Sequence, residues 1–152
     1  RLPSRHRLPR LPQRKPMVIL SVDYGDARTG IAVCDKTETL ASPVTVIKEK
    51  NQDKLLEKII EIVSEKNAGK IVVGLPKNMD GSEGFRAEAC REFAQKLGQA
   101  ASVPAELYDE RLTTAAAYSM LNEGNVFGKK RKDAVDALAA VIILEDYLKS
   151  KN

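Results

Sequence analysis

Acidic residues stand at three distant places in this chain where a carboxylate needs a chemical reason. Asp23 follows the apolar run Val18-Ile19-Leu20-Ser21-Val22 and precedes Tyr24-Gly25. The run has the length and β-branched content of a strand. A carboxylate carried on a buried strand is costly unless a metal ion or a hydrogen-bond network compensates it. Asp109 and Glu110 close a later short strand. Asp133 and Asp136 open a long apolar helix, three residues apart and so on one face. Acids from three segments that meet at one sheet edge make a hard-oxygen site, which favours Mg²⁺ or Mn²⁺ over zinc. Each residue also has a simpler reading. Asp23 suits a turn, Asp133 and Asp136 complement a helix dipole at ~0.3–1 kcal/mol each, and Glu110 with Arg111 makes a surface ion pair.

Other chemistries have few residues to work with. His6 is the only histidine of the chain, and it lies in the first segment. A Ser-His-Asp or Cys-His nucleophile and a His-rich zinc site are therefore not expected in the domain that follows. Cys34 and Cys90 form no CxxC pair and read as small packed apolar groups in a reducing cytoplasm.

The elements that would position the acids are legible in outline. Strands are expected over 17–24, 28–35 and 39–47, the third interrupted by Pro43 and so an edge or bulged strand. Tight links between them predict an antiparallel meander. A helix over 53–66 carries Leu55, Leu56, Ile59, Ile60, Ile62 and Val63 on its apolar side and ends at 67–69. Residues 70–75 read as a fully buried parallel strand, 76–84 as a polar loop, 85–101 as a helix and 105–108 as a short strand. A helix over 113–123, a basic loop over 125–132 and a long apolar helix over 133–149 complete the chain. The order βββ-α-β-α-β-α-α predicts an α/β fold, a mixed five-stranded sheet with helices on both faces. In such sheets ligands gather at the carboxyl ends of strands, where Asp23 and Glu110 fall. The run Val141 to Leu144 is either core or a dimer face, which leaves monomer and homodimer both open.

Charge is unevenly spread along the chain. The 152 residues carry a formal net charge of +4, with 43% hydrophobic residues. Residues 1–16 hold Arg1, Arg5, Arg7, Arg10, Arg14 and Lys15 and no acid; without these six, 19 basic residues face 21 acidic ones, a net of −2. Bulk charge therefore does not argue for nucleic acid. The Pro-rich segment 1–16 is expected to be disordered and foreign to a single domain spanning 17–150, with an Arg-rich organelle-targeting segment as the alternative. No apolar run approaches the ~20 residues of a membrane span. Local charge is more telling: Gly128-Lys129-Lys130-Arg131-Lys132 directly precedes Asp133. Such runs are usually solvated loops, but beside a carboxylate metal site this one suits a polyphosphate substrate. Arg86 and Arg111 are the other candidates for phosphate contacts, Arg86 being otherwise an exposed first-turn residue.

Four stretches carry a family resemblance: VDYGDARTGIAV at 22–33, IVVGLPKNMDGSEGFRAEACREFAQKL at 71–97, DERLTTAAA at 109–117 and KDAVDALAAVIILEDYL at 132–148. They resemble the YqgF/RuvX family of bacterial proteins, which has an RNase H-like fold related to the Holliday-junction resolvase RuvC, and the resemblance covers 17–149. The resemblance implies catalytic and metal-binding roles for Asp23, Glu110 and Asp136, with Asp133 as a helper one turn earlier. It implies a two-metal nuclease, in which Asp23 bridges both ions while Glu110 and Asp136 each hold one. Such a site needs no histidine base. The family is linked to maturation of the 5′ end of pre-16S ribosomal RNA, which would make ribosomal particles partners in the cytoplasm. It is also linked to Holliday-junction resolution on branched DNA. Two other classes stay open: a non-catalytic ribosome- or nucleic-acid-binding module, and an actin-like ATPase. The second shares the Asp23-Tyr24-Gly25 to Thr29-Gly30 loop but grips ATP between two such domains.

Overall fold

The computed structural model describes residues 16–76, 83–109 and 128–151, with side chains in the last segment from residue 137 onward. Its strands are β1 (Val18–Asp23), β2 (Arg28–Cys34), β3 (Ala41–Lys48), β4 (Ala68–Leu75) and β5 (Ala105–Asp109). Its helices are α1 (Gln52–Lys66), α2 (Phe85–Ala101) and α3 (Gly128–Ser150). The five strands form one sheet in the order β3-β2-β1-β4-β5. The meander β1-β2-β3 is antiparallel, and β4 and β5 join parallel to β1. The expected mixed sheet is what forms, and β3 is the edge strand that Pro43 requires. Register shifts between Ile31 and Ala32, opposite Thr45 and Pro43, so the strand bulges where proline has no N–H to give.

Alternation along β1 divides the core in two. Leu20 and Val22 face α1 and α2, where they pack with Leu55, Ile59, Val63, Ile71, Val73, Phe93 and Leu97. Ile19 faces α3 and packs with Ala32, Val72, Ala140, Ile143, Leu144 and Tyr147. Each fully buried Leu or Ile contributes about 1.5–3 kcal/mol of transfer free energy. Helices thus cover both faces. Val141, Ile143 and Leu144 are buried, so the apolar run of α3 is core.

Local chemistry sets the helix ends. Asn51 caps α1 by accepting the Lys54 N–H at 3.0 Å. Asn67 closes it alone in the left-handed region at φ 54°, its N–H bonding Ser64 and Val63 carbonyls. Ala68 and Gly69, expected to help end the helix, already belong to β4. One expectation fails outright. Residues 128–132 are not a loop but the first turns of α3, which begins at Gly128 rather than Asp133. Lysine and arginine are good helix formers, and no proline breaks the segment. The helix expected over 113–123 lies outside the described residues. Among the described residues no helix is long and apolar enough to cross a membrane.

Candidate active site

The carboxyl edge of the three parallel strands is defined by register. Val22 stands beside Val73, and Leu75 stands beside Asp109. β1 and β5 both flank β4, so Asp23 and Asp109 end strands about two strand spacings, ~10 Å, apart. Asp23 is half-buried and pairs with Gly30 across β2. It shares the parity of Ile19 and Ser21 and therefore the α3 face. On β5, Tyr108 packs with the α3 core and Leu107 with the opposite one.

A buried serine seats α3 on β1. The Ser21 hydroxyl, fully buried, donates to the Ala140 carbonyl at 2.7 Å. Asp136 lies one helical turn before Ala140, and two turns before the buried Ile143. The far end of α3 is held by Tyr147. Its hydroxyl receives Lys70 Nζ at 2.6 Å and Lys151 Nζ at 3.0 Å, and its ring meets Tyr108 edge-on at 5.8 Å. Lys70 also pairs with Glu106 at 3.5 Å. Burial raises the Glu106 carboxyl, but Tyr147 and the Lys70 and Lys151 charges outweigh it and hold the group below its usual range.

The turn after Asp23 is built to one shape. A side chain at Gly25 would collide with the Arg28 carbonyl, its Cβ only 2.1 Å from the oxygen, so only glycine fits. The buried Thr29 hydroxyl accepts the Gly25 N–H at 3.3 Å and donates to the Gly25 carbonyl at 3.4 Å. Tyr24 stacks on Phe93 with centroids 4.0 Å apart, and its hydroxyl accepts from Gln52 at 3.2 Å. Arg86, in the first turn of α2, donates to the Tyr24 carbonyl and to Asp26 at 3.0 Å. Its guanidinium thus ties the start of α2 to the segment that carries Asp23.

Of the residues singled out from the sequence, Asp23 and Arg86 are described in full and stand at this one edge. Glu110 and Arg111 lie outside the described residues, as do the side chains of Lys129, Lys130, Arg131, Lys132, Asp133 and Asp136. Among the described residues no three potential metal ligands gather. Cys34 and Cys90 are buried and neither is in a disulfide, as their apolar reading implies. Desolvation pushes the Cys34 thiol up. Sequence reasoning missed Ser21, Tyr24, Phe93 and Tyr147. Only Ser21 left a trace, a polar residue two positions before Asp23 within an apolar run.

Residues 17–150 match the family model described as RuvX: Holliday junction resolvase. The chain belongs to this family. A relative from Thermoanaerobacter pseudethanolicus is 42% identical over 136 residues, 89% of this chain and 98% of its own length. One from Halothermothrix orenii is 43% identical, covering 90% and 97%. Both are provisionally named pre-16S rRNA nucleases. Among solved structures, Thermus thermophilus RuvC in complex with a Holliday junction substrate superposes with a TM-score of 0.57 at 16% identity, covering 89% of this chain and 95% of RuvC. The fowlpox virus Holliday junction resolvase gives 0.55 at 14% identity, covering 88% and 99%. The fold is therefore the RNase H-like fold of the RuvC resolvases. Family membership makes the chain a nuclease, a hydrolase of phosphodiester bonds, and nucleases of this fold depend on divalent metal.

Proposed function

We propose that this nuclease processes the 5′ end of pre-16S ribosomal RNA, in the cytoplasm and on ribosomal precursor particles, with Asp23, Glu110 and Asp136 as its catalytic carboxylates. The observation that carries the reading is the seating of α3. The Ser21–Ala140 bond fixes the helix two residues from Asp23 and one turn from Asp136. A helical turn advances ~6 Å over four residues, and two strand residues advance ~6.6 Å. Asp136 and Asp23 therefore leave the same anchor point by similar steps. Glu110 is the next residue in sequence after Asp109, which ends β5 at this edge.

The donor set fits a hard divalent ion: three carboxylates and no thiol or imidazole. Asp23, Glu110 and Asp136 would hold it, with Asp133 as a helper. Bound there, Mg²⁺ or Mn²⁺ would supply an activated water and stabilise the leaving oxygen. The chain's own contribution is placement. Gly25, Thr29 and Arg86 hold the Asp23 turn in one conformation, so the carboxylate needs no reorganisation before reaction. Arg86, Arg111 and Lys129 to Lys132 would contact phosphates, the lysines as point charges.

Ribosomal RNA is preferred over branched DNA because the relatives at 42–43% identity carry the rRNA name. The junction resolvases share 14–16% identity, which speaks for fold alone. The test is cleavage of a labelled 16S 5′-leader RNA and a labelled four-way DNA junction, each with Mg²⁺, Mn²⁺ or chelator. Metal-dependent cleavage confined to the RNA is expected. Cleavage of the junction alone would reverse the assignment, and cleavage of neither would favour a binding module.

A further inference from the structure

At the carboxyl edge of β1 the sheet carries basic residues that the catalytic reading does not use. Arg28 opens β2 and pairs with Lys48, which ends β3. Asp23 pairs with Gly30, so Arg28 stands two residues beyond it, ~6–7 Å along the strand. The parity of Arg28 is that of Gly30, Ala32 and Cys34, and the last two pack with α3. Cross-strand partners share a face, so Asp23, Arg28 and Lys48 share one face and one end of the sheet.

Beyond them a groove of about 360 Å³ is lined by Ala27, Arg28, Lys48, Glu49 and Lys50. Its one acid is already engaged. Glu49 accepts from Lys58 at 3.0 Å and from the Asn51 N–H at 3.2 Å, and the Lys58 ammonium leads in holding its carboxyl below the usual range. Arg28 is half-buried and positioned by its strand, whereas Lys48 and Lys50 are exposed.

We infer that Arg28, Lys48 and Lys50 form a phosphate-binding ledge, over which the nucleic-acid backbone leaves Asp23 across the β2–β3 edge. The inference rests on the nuclease reading and adds the side on which the substrate runs. The ledge reads charge rather than bases: its two ammonium groups and one guanidinium meet backbone phosphates, which carry no sequence information. RNA and DNA strands are both taken, and discrimination between them lies elsewhere in the site.

The test is binding of a labelled single-stranded RNA and a DNA of the same sequence, measured by fluorescence anisotropy in chelator across a salt series. The triple variant Arg28→Gln, Lys48→Gln, Lys50→Gln is compared with a control triple of exposed lysines, Lys36→Gln, Lys66→Gln, Lys149→Gln. The ledge variant should bind both strands at least tenfold more weakly than the control. Its log–log salt slope should fall by about 2, near 0.7 for each single-strand phosphate no longer neutralised. The double variant Lys48→Gln, Lys50→Gln leaves the β2 strand untouched and should lose more than half of that slope. A ledge variant indistinguishable from the control, in a protein that binds and cleaves normally, would overturn the ledge alone. A wild-type protein that binds neither strand would remove the ledge and the nuclease reading together.

Discussion

The Ser21 hydroxyl lies 2.7 Å from the Ala140 carbonyl, a buried polar bond that pins β1 to α3 and joins residues 119 apart in sequence. Its two ends lie two residues before Asp23 in β1 and one turn after Asp136 in α3. Removing it should loosen the relation between those two carboxylates more than it loosens the fold. Ser21→Ala should cost about 1 kcal/mol in urea unfolding, the net worth of one hydrogen bond. Ser21→Val adds volume against Ala140 and should cost about 1–3 kcal/mol while pushing α3 outward. Cleavage should fall further for valine than for alanine. Wild-type rates in both variants would detach the seat of α3 from catalysis.

Arg86 separates two roles by different readouts. Its ion pair with Asp26 is exposed and adds little stability. Its bond to the Tyr24 carbonyl fixes the turn after Asp23. A lysine cannot reach both partners with a fork of donors. Arg86→Lys should therefore lower the single-turnover rate roughly tenfold, about 1.4 kcal/mol, with the melting temperature unmoved. A salt slope of binding smaller by about 1, with the rate preserved at saturating substrate, would leave Arg86 a phosphate contact alone, with no part in holding the turn.

The two aspartates of α3 should not behave alike. Asp136 shares the stripe of Ile143 and lies one turn from the Ser21 anchor, whereas Asp133 lies a further turn out. Asp136→Asn should abolish metal-dependent cleavage, a thousandfold or more and so about 4 kcal/mol of transition-state stabilisation. Asp133→Asn should only weaken it. Assays of both variants, with folding checked by circular dichroism, decide; the reverse order would move the assignment by one turn.

The β2–β3 turn predicts a pH dependence of stability. The Thr37 hydroxyl at 2.7 Å leads the bonds that hold the Asp35 carboxyl far below its usual range, followed by the Thr39 and Leu40 N–H groups at 2.8 and 3.1 Å. The folded-state pKa is depressed, so the stabilisation is present above the unfolded value near 3.8 and fades as pH falls below it. Asp35→Ala should melt below wild type at pH 6. The gap should close as the pH falls from about 4 toward 2. A gap constant across that range would mean that the carboxylate charge is not what the turn uses.

Much of this architecture was legible because it is written in short-range signals. Pro43 marks the bulged edge strand, and the bounds of α2 fall at the expected residues 85 and 101. The apolar repeat Leu55, Ile59, Val63 marks the buried side of α1. Asp23 was legible because a charge at the end of an apolar run is out of place. The start of α3 was not, because Lys129 to Lys132 read as solvated charge although such residues favour helix as much as loop. The contacts that shape the site were not legible either. Ser21 with Ala140, Tyr24 with Phe93 and Arg86 with Tyr24 join residues 119, 69 and 62 positions apart, and nothing in local periodicity pairs them. The Arg28–Lys48 pair became visible only when register placed both beside Asp23.

The most direct test of the account is the single-turnover cleavage rate of Asp23→Asn on the 16S 5′-leader RNA in Mg²⁺ or Mn²⁺. Asparagine keeps the size of the side chain and removes the charge that would hold divalent metal. The account predicts a loss of at least a thousandfold with unchanged melting temperature and near-normal RNA binding. A rate within tenfold of wild type would contradict it, because the carboxylate at the end of β1 would then not be where the phosphodiester bond is broken.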